Sequence, residues 1–312
     1  MFASAPYQPY LDEMAYRLKH GESVIRGLKR VAREEMEAAG AQLSGHNKPS
    51  RDEAIHDARK SIKKVRALLR LANAEQVGIY GRENARLRDI ARRLSKFRDA
   101  FAIIETFDAL KSKFRRETRN KLQSVRLGLT KRRSQSAREE DVGIVIVEAA
   151  SALRKAAKRV KTWPLQMDGF AAIGPGLEET FRAGRKALAL VRKDARPENL
   201  HELRKRVKDH WYHLRLLEDL WTDMIRASEK SLKDLETLLG NDHNLVVLRE
   251  TIVADPAFYG RKKDIDPTLH LIEKYQKELR EQSLVLAARI YEEKPRAFIR
   301  RMAGLWETWR HS

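Results

Sequence analysis

Apolar residues recur at intervals of three and four along nearly all of the 312-residue chain. Nowhere do Val, Ile and Thr alternate with polar positions as they would in a half-buried strand. The pattern is clearest at 55–71, IHDARKSIKKVRALLRL, where Ile55, Ala58, Ile62, Val65, Leu68 and Leu69 gather on one side of a wheel drawn at about 100° per residue. Gly, Pro and short polar runs punctuate the rest and predict helices over 11–39, interrupted near Gly21, then 50–74 and 82–110. A long helix over 113–163 follows, kinked or broken in the polar run 132–141 and ended by Trp163-Pro164. Beyond it come 177–194, 197–223, 225–239 with a break at 240–244 before 245–253 resumes, and 268–309 with a kink at Pro295. Gly78 and Gly81 read as one break, and 255–267 as a loop. The segment 167–176, MDGFAAIGPG, concentrates Gly and Pro and reads as a linker between 1–166 and 177–312. Four helices on each side with mostly short connections predict an all-α protein of two antiparallel four-helix bundles.

The two sides repeat one another. LHELRKRVKDHWYHLRL at 200–216 aligns without gaps on 55–71, so that His56 meets His201, Arg59 meets Arg204, Lys60 meets Lys205, Lys63 meets Lys208 and Arg70 meets Arg215. The same offset sets 94–103, LSKFRDAFAI, against 239–248, LGNDHNLVVL. A register held over roughly fifty residues is an architectural repeat. The polar face of the first copy is almost purely cationic: Arg59, Lys60, Lys63, Arg66 and Arg70 lie within roughly 80° of His56 on the wheel. Solvated helix faces usually mix signs, because like charges one turn apart repel. If the halves face each other about a pseudo-twofold axis, the two stripes line one basic groove or pore, offering forked and point-charge donors to oxyanions.

Composition sharpens the partner. There are 64 Lys plus Arg against 44 Asp plus Glu, a formal charge of +20, so a polyanion or an anionic surface is the natural ligand. No cysteine is present, which removes thiolate metal sites and disulfides. No apolar run approaches the roughly 18 residues of a membrane span, and MFASAPYQPYLDEMAYRL lacks the order of a signal peptide, so no membrane association and a cytoplasmic location are expected.

Other chemistry finds little support. Glu53-x-x-His56 and Glu198-x-x-His201 have the spacing of di-iron bundles, but they fall in different predicted bundles and sit among cations, so no metal is expected. His56-Asp57, Asp209-His210 and Asp242-His243 lack the further histidines of a metal phosphohydrolase. No phosphate loop, nucleophile elbow or zinc helix motif occurs, so no catalytic residue and no cofactor is nominated and a non-enzymatic protein is expected, with a polyphosphate- or triphosphate-processing enzyme as a second alternative. Nucleic acid is the alternative ligand, although Trp211 and Tyr212 are the only aromatics interleaved with a basic stripe. Arg98 projects from the apolar side of its helix, beside Leu87, Ile90, Leu94, Phe97 and Phe101, and needs either a buried carboxylate or a ligand oxyanion; its positional twin is His243.

His-x-x-Arg-x-x-x-Lys in an amphipathic helix, twice in the chain, resembles the CHAD family of histidine-containing α-helical domains. LSKFRDAF around Arg98 and FRAGRKAL around Arg182 and Arg185 match it too, and the resemblance runs from about Gly21 to the C-terminus. It implies two four-helix bundles related by pseudo-twofold symmetry, with a basic groove that binds inorganic polyphosphate, often on polyphosphate granules and beside a partner enzyme of polyphosphate metabolism. No triphosphate-processing strand motif accompanies it, so the resemblance implies binding and not hydrolysis. The implied ligand residues are His56, Arg59, Lys63, Arg66 and Arg70, with His201, Arg204, Lys208 and Arg215; Lys60 and Lys205 are added by helical phase. The second copy departs where Asp209 replaces the cation at Lys64, Trp211 the one at Arg66, and His243-Asn244 the pair Arg98-Asp99, so a less cationic second wall is expected.

Overall fold

A computed structural model describes residues 16–45, 50–72, 77–117, 122–139 and 142–312, excluding the side chains at 77–79, 96–101 and 136–139. Among these residues every regular element is helical. The first helix, α1, spans Val24–Leu43, and α2 spans Arg51–Leu71. They are followed by α3 (Val77–Lys113), α4 (Gln123–Glu139) and α5 (Val142–Arg159). After two 3₁₀ turns come α6 (Gly174–Lys193) and α7 (Pro197–Leu216), then α8 (Thr222–Ala254), the single turn α9 (Pro256–Tyr259), α10 (Lys262–Ile290) and α11 (Pro295–His311).

The basic helix α2 starts where small oxygen-bearing side chains begin it. Ser50 Oγ accepts from Glu53 N at 3.3 Å while Glu53 Oε2 accepts from Ser50 N at 2.9 Å, a reciprocal cap that satisfies two orphan donors. Glu53 thus begins a helix, which accounts for the Glu-x-x-His spacing without a metal.

α1 packs on α2 and α5, α6 packs on α7 and α11, and α2 meets α7 in the middle while α3 meets α8. The α6 start lies so close to the end of α2 that a Cβ on Gly176 would stand 1.9 Å from the Leu71 carbonyl oxygen, an approach only glycine permits. His213 Nε2 of α7 hydrogen-bonds the Ala67 carbonyl of α2 at 2.8 Å. Within the first half, the Lys64 ammonium is buried on Glu35 at 2.6 Å, and the buried Tyr16 Oη donates to the Lys64 carbonyl at 3.0 Å. Lys64 therefore belongs to the core and not to the cationic face.

Apolar side chains form two clusters, and each draws on both sides of 167–176. The larger joins Val31, Ile62 and Leu68 to Phe181, Val207 and Trp306. The smaller joins Phe107 and Leu110 at the far end of α3, and Val125 of α4, to Leu248 of α8 and Ile272 of α10.

Several predicted boundaries move. The break expected at 240–244 is absent, because α8 runs through it: Asp242 is 1% exposed and accepts from Arg280 Nε at 2.7 Å and Gln276 Nε2 at 3.3 Å, so α10 supplies partners that offset poor helix propensity. Gly78 and Gly81 lie inside α3 rather than breaking the chain before it. The helix expected over 113–163 is divided into α4 and α5 at the end of the polar run expected to kink or break it, but it starts later, after turn structure at 114–117. Pro267 falls inside α10, and Pro295 opens α11 at its first turn, where no N–H is needed, instead of kinking one long helix. The part of the first predicted helix at 11–15 lies outside the described residues.

Candidate anion-binding cavity

α2 and α7 approach with their cationic faces turned to a common space, and α8 closes it from the side. The resulting cavity has a volume of about 1140 Å³. α2 contributes His56, Arg59, Lys60 and Lys63; α7 contributes Arg204, Lys208, Trp211 and Arg215. α8 adds Arg226, Lys230, Lys233, Glu236 and His243, and α3 adds the small or neutral Ala102, Ile103 and Thr106. Nine Lys and Arg side chains face four carboxylates, Asp57, Glu218, Glu229 and Glu236.

Crowded cations inside a partly desolvated space repel one another, and the acid–base equilibria record it. Lys63 is pushed down to about 7, first by burial and then by Lys208, Arg59 and Arg204. Lys208 is lowered as well, again chiefly by burial. One carboxylate holds this cluster together: Glu236 accepts from Arg204 Nη2 at 3.1 Å, Lys208 Nζ at 3.0 Å and Lys233 Nζ at 3.1 Å. Burial pushes the Glu236 carboxyl up, yet Lys208, Arg204 and Lys233 together hold it well below the usual carboxylate range. Glu229 behaves in the opposite way, raised to about 7 by burial and by Glu218.

Two neighbouring histidines are shifted towards their neutral form. His201 and His243 face each other with ring centroids 4.6 Å apart. Burial, then His201 and Arg204, brings His243 down to about 4, and burial with Lys205 and Arg204 lowers His201. Trp211 is 9% exposed, with Tyr212 stacked at 4.9 Å and Lys233 Nζ 4.7 Å from its ring centroid.

Of the residues singled out from the sequence, His56, Arg59, Lys60, Lys63, Arg204, Lys208, Arg215 and His243 line the cavity. The others stand elsewhere. His201 packs against His243 but is not itself among the lining residues. Arg66 donates to Asn84 Oδ1 at 2.8 Å, and Arg70 to Asp209 and to Tyr80 Oη. Lys205 pairs with Glu202 on its own helix. Arg182 pairs with Glu178 and Glu179, while Arg185 donates to the carbonyls of Tyr291, Glu292 and Glu293 and so ties α6 to the end of α10. The Arg98 side chain lies outside the described residues. The α8 wall was not singled out, apart from His243, yet 226, 230, 233, 237, 240 and 244 advance by three and four and would mark one helical face once α8 is taken as unbroken.

Among the described residues no group of three or more His, Asp or Glu is placed to hold a metal ion, and no helix is long and apolar enough to cross a membrane.

The geometry defines a class: an all-helical protein whose repeated basic helices line a shared cationic cavity. The chain belongs to the CHAD domain family, whose model matches residues 3–253. A similar solved structure is the crystal structure of the CHAD domain from the plant Ricinus communis, with a TM-score of 0.60 and 16% identity, covering 90% of this chain and 95% of that one. At that identity the likeness speaks to the fold. A search of curated proteins found no match.

Proposed function

We propose that the cavity binds inorganic polyphosphate without hydrolysing it, and that the cationic stripes of α2 and α7 hold the chain from two sides. The placement of Arg59 and Lys63 opposite Arg204 and Lys208 carries this reading: Lys63 feels Lys208 and Arg204 strongly enough to be lowered by them. A polyanion threaded between the stripes relieves that repulsion and accepts charge-assisted hydrogen bonds from both walls. Counterion release then makes affinity fall steeply with salt. The repeated helices are read as halves related by a pseudo-twofold axis through this cavity, and the protein as a cytoplasmic one that associates with polyphosphate granules or with an enzyme of polyphosphate metabolism.

Phosphate rather than nucleic acid is favoured by Trp211. Its ring is flanked by Tyr212 and Lys233 and little of it is open, so it offers no stacking platform for a base.

Replacing Arg59, Lys63, Arg204 and Lys208 together by alanine is expected to weaken long-chain polyphosphate binding by at least about a hundredfold at moderate salt, with helicity by circular dichroism retained. Undiminished affinity in the folded variant overturns the reading. Displacement of polyphosphate by single-stranded RNA at equal phosphate concentration would assign the site to nucleic acid instead.

A further inference from the structure

One wall of the cavity already carries an anion that belongs to the protein. Glu236 is 5% exposed, and its Oε1 takes both Arg204 and Lys208 while Oε2 takes Lys233. The three cations come from two helices, α7 and α8, so the carboxylate is fixed by more than its own backbone. Lys63 on the opposite wall also feels Glu236. Any phosphate seeking Arg204 and Lys208 therefore meets a competing acceptor and a like charge within the same few ångströms.

The effect of that charge depends on ligand length. A ligand with one or two phosphate groups that binds at Arg204 and Lys208 has few other donors within reach, and there the repulsion falls on its whole binding energy. A chain spanning the cavity also reaches Lys60 on α2 and Arg226 and Lys230 on α8, so the same local repulsion is a small part of the total. We propose that Glu236 is a specificity-determining residue, an internal competitor that makes the cavity reject orthophosphate and pyrophosphate and accept only long polyanions. This inference rests on the polyphosphate reading and adds the selection by length to it.

The test compares pyrophosphate and long-chain polyphosphate, titrated by calorimetry into the full-length protein and into Glu236→Gln. Removing the charge while keeping the shape is expected to tighten pyrophosphate binding by about tenfold or more and long-chain binding by much less, so that their affinity ratio shrinks. Glu236→Asp, which keeps the charge, should restore most of the discrimination. Because the glutamine variant leaves three cations with a weaker acceptor, a second variant, Glu236→Gln with Lys233→Gln, keeps the net charge of the wild type and still frees Arg204 and Lys208. It should also narrow the ratio. An unchanged ratio in folded variants overturns the proposal, as does a loss of both affinities, which would make Glu236 a purely structural support. Failure of the wild-type chain to bind long-chain polyphosphate at all would instead overturn the polyphosphate reading, and this inference with it.

Discussion

Arg70 of α2 and Asp209 of α7 form an ion pair that joins the two halves of the chain, and Arg70 also donates to Tyr80 Oη at 2.9 Å. Asp209 stands where the first copy has the core residue Lys64, and this contact explains a carboxylate there. At that end of the helices the stripes stop facing an open cavity and face one another, so a cation on both sides would leave two buried like charges in contact.

The pair acts as a fastening between α2 and α7. Asp209→Ala leaves Arg70, whose side chain is only 24% exposed, without its carboxylate. Removing one partner of a largely buried pair costs about 3 kcal/mol. The expected result in urea denaturation is a loss of that order for either Asp209→Ala or Arg70→Ala, with the double variant less destabilised than the sum of the two. Polyphosphate affinity of the folded fraction should stay within about threefold, since neither side chain lines the cavity. A large affinity loss without a stability loss would return Arg70 to the site.

On the proposed reading, Lys63 should make polyanion binding proton-linked. Its ordinary value is lowered to about 7 by burial and by the cations around it, so near neutrality the unoccupied cavity holds it partly deprotonated. A polyanion prefers the ammonium form and raises its pKa, and the complex takes up a proton. Affinity should consequently change little below about pH 6 and decline above about pH 7, by up to tenfold per pH unit for a single linked proton. Calorimetry in buffers of different ionisation enthalpy reads the proton directly, and Lys63→Met should remove it. An equal proton uptake in that variant would assign the linkage to another group.

How much of this was legible in the sequence follows from what a helical wheel contains. The wheel gives azimuth, and azimuth placed His56, Arg59, Lys60 and Lys63 on the cavity wall. It does not say how far along the helix the cavity extends. Arg66 and Arg70 share the azimuth but lie where α3 and α7 cover α2, and they were absorbed by Asn84, Tyr80 and Asp209. Arg182 and Arg185 came from a motif match alone, and both turn out to hold their own surroundings together. The third wall was hidden for a different reason. Gly, Asn and Asp at 240–244 are weak helix formers, so the run reads locally as a break. Tertiary partners reverse it: Asp242 is held by Arg280, and Gly240 lets the Arg204 guanidinium approach to 3.2 Å of where a Cβ would stand. A polar stretch that looks like an interruption was the part of α8 that faces the site.

Two buried histidines outside the cavity weaken the fold as pH falls. His210 and His213 of α7 are 2% and 0% exposed. Burial brings His210 down to about 3 and His213 to about 4, the latter partly restored by its bond to the Ala67 carbonyl. His210 stands edge-on to Phe181 at 5.4 Å and Phe298 at 5.5 Å, and neither ring nitrogen has a hydrogen-bond partner. Both histidines titrate near 6.5 when unfolded. The unfolded chain thus binds more protons than the folded one between about pH 6.5 and pH 4. The stabilisation of the neutral buried rings is complete above that window and is lost as pH falls through it, by up to about 1.4 kcal/mol per pH unit for each ring. Glu229 works against this, because its raised carboxyl favours the folded state as pH falls from about 7 towards 4.5. The substitution His210→Phe isolates one contribution: it keeps the aromatic packing and removes the titration. Its melting temperature should match the wild type near neutrality and exceed it increasingly as pH falls from 6 to 4. A parallel fall of both melting curves would mean that His210 is protonated, and satisfied, in the folded protein.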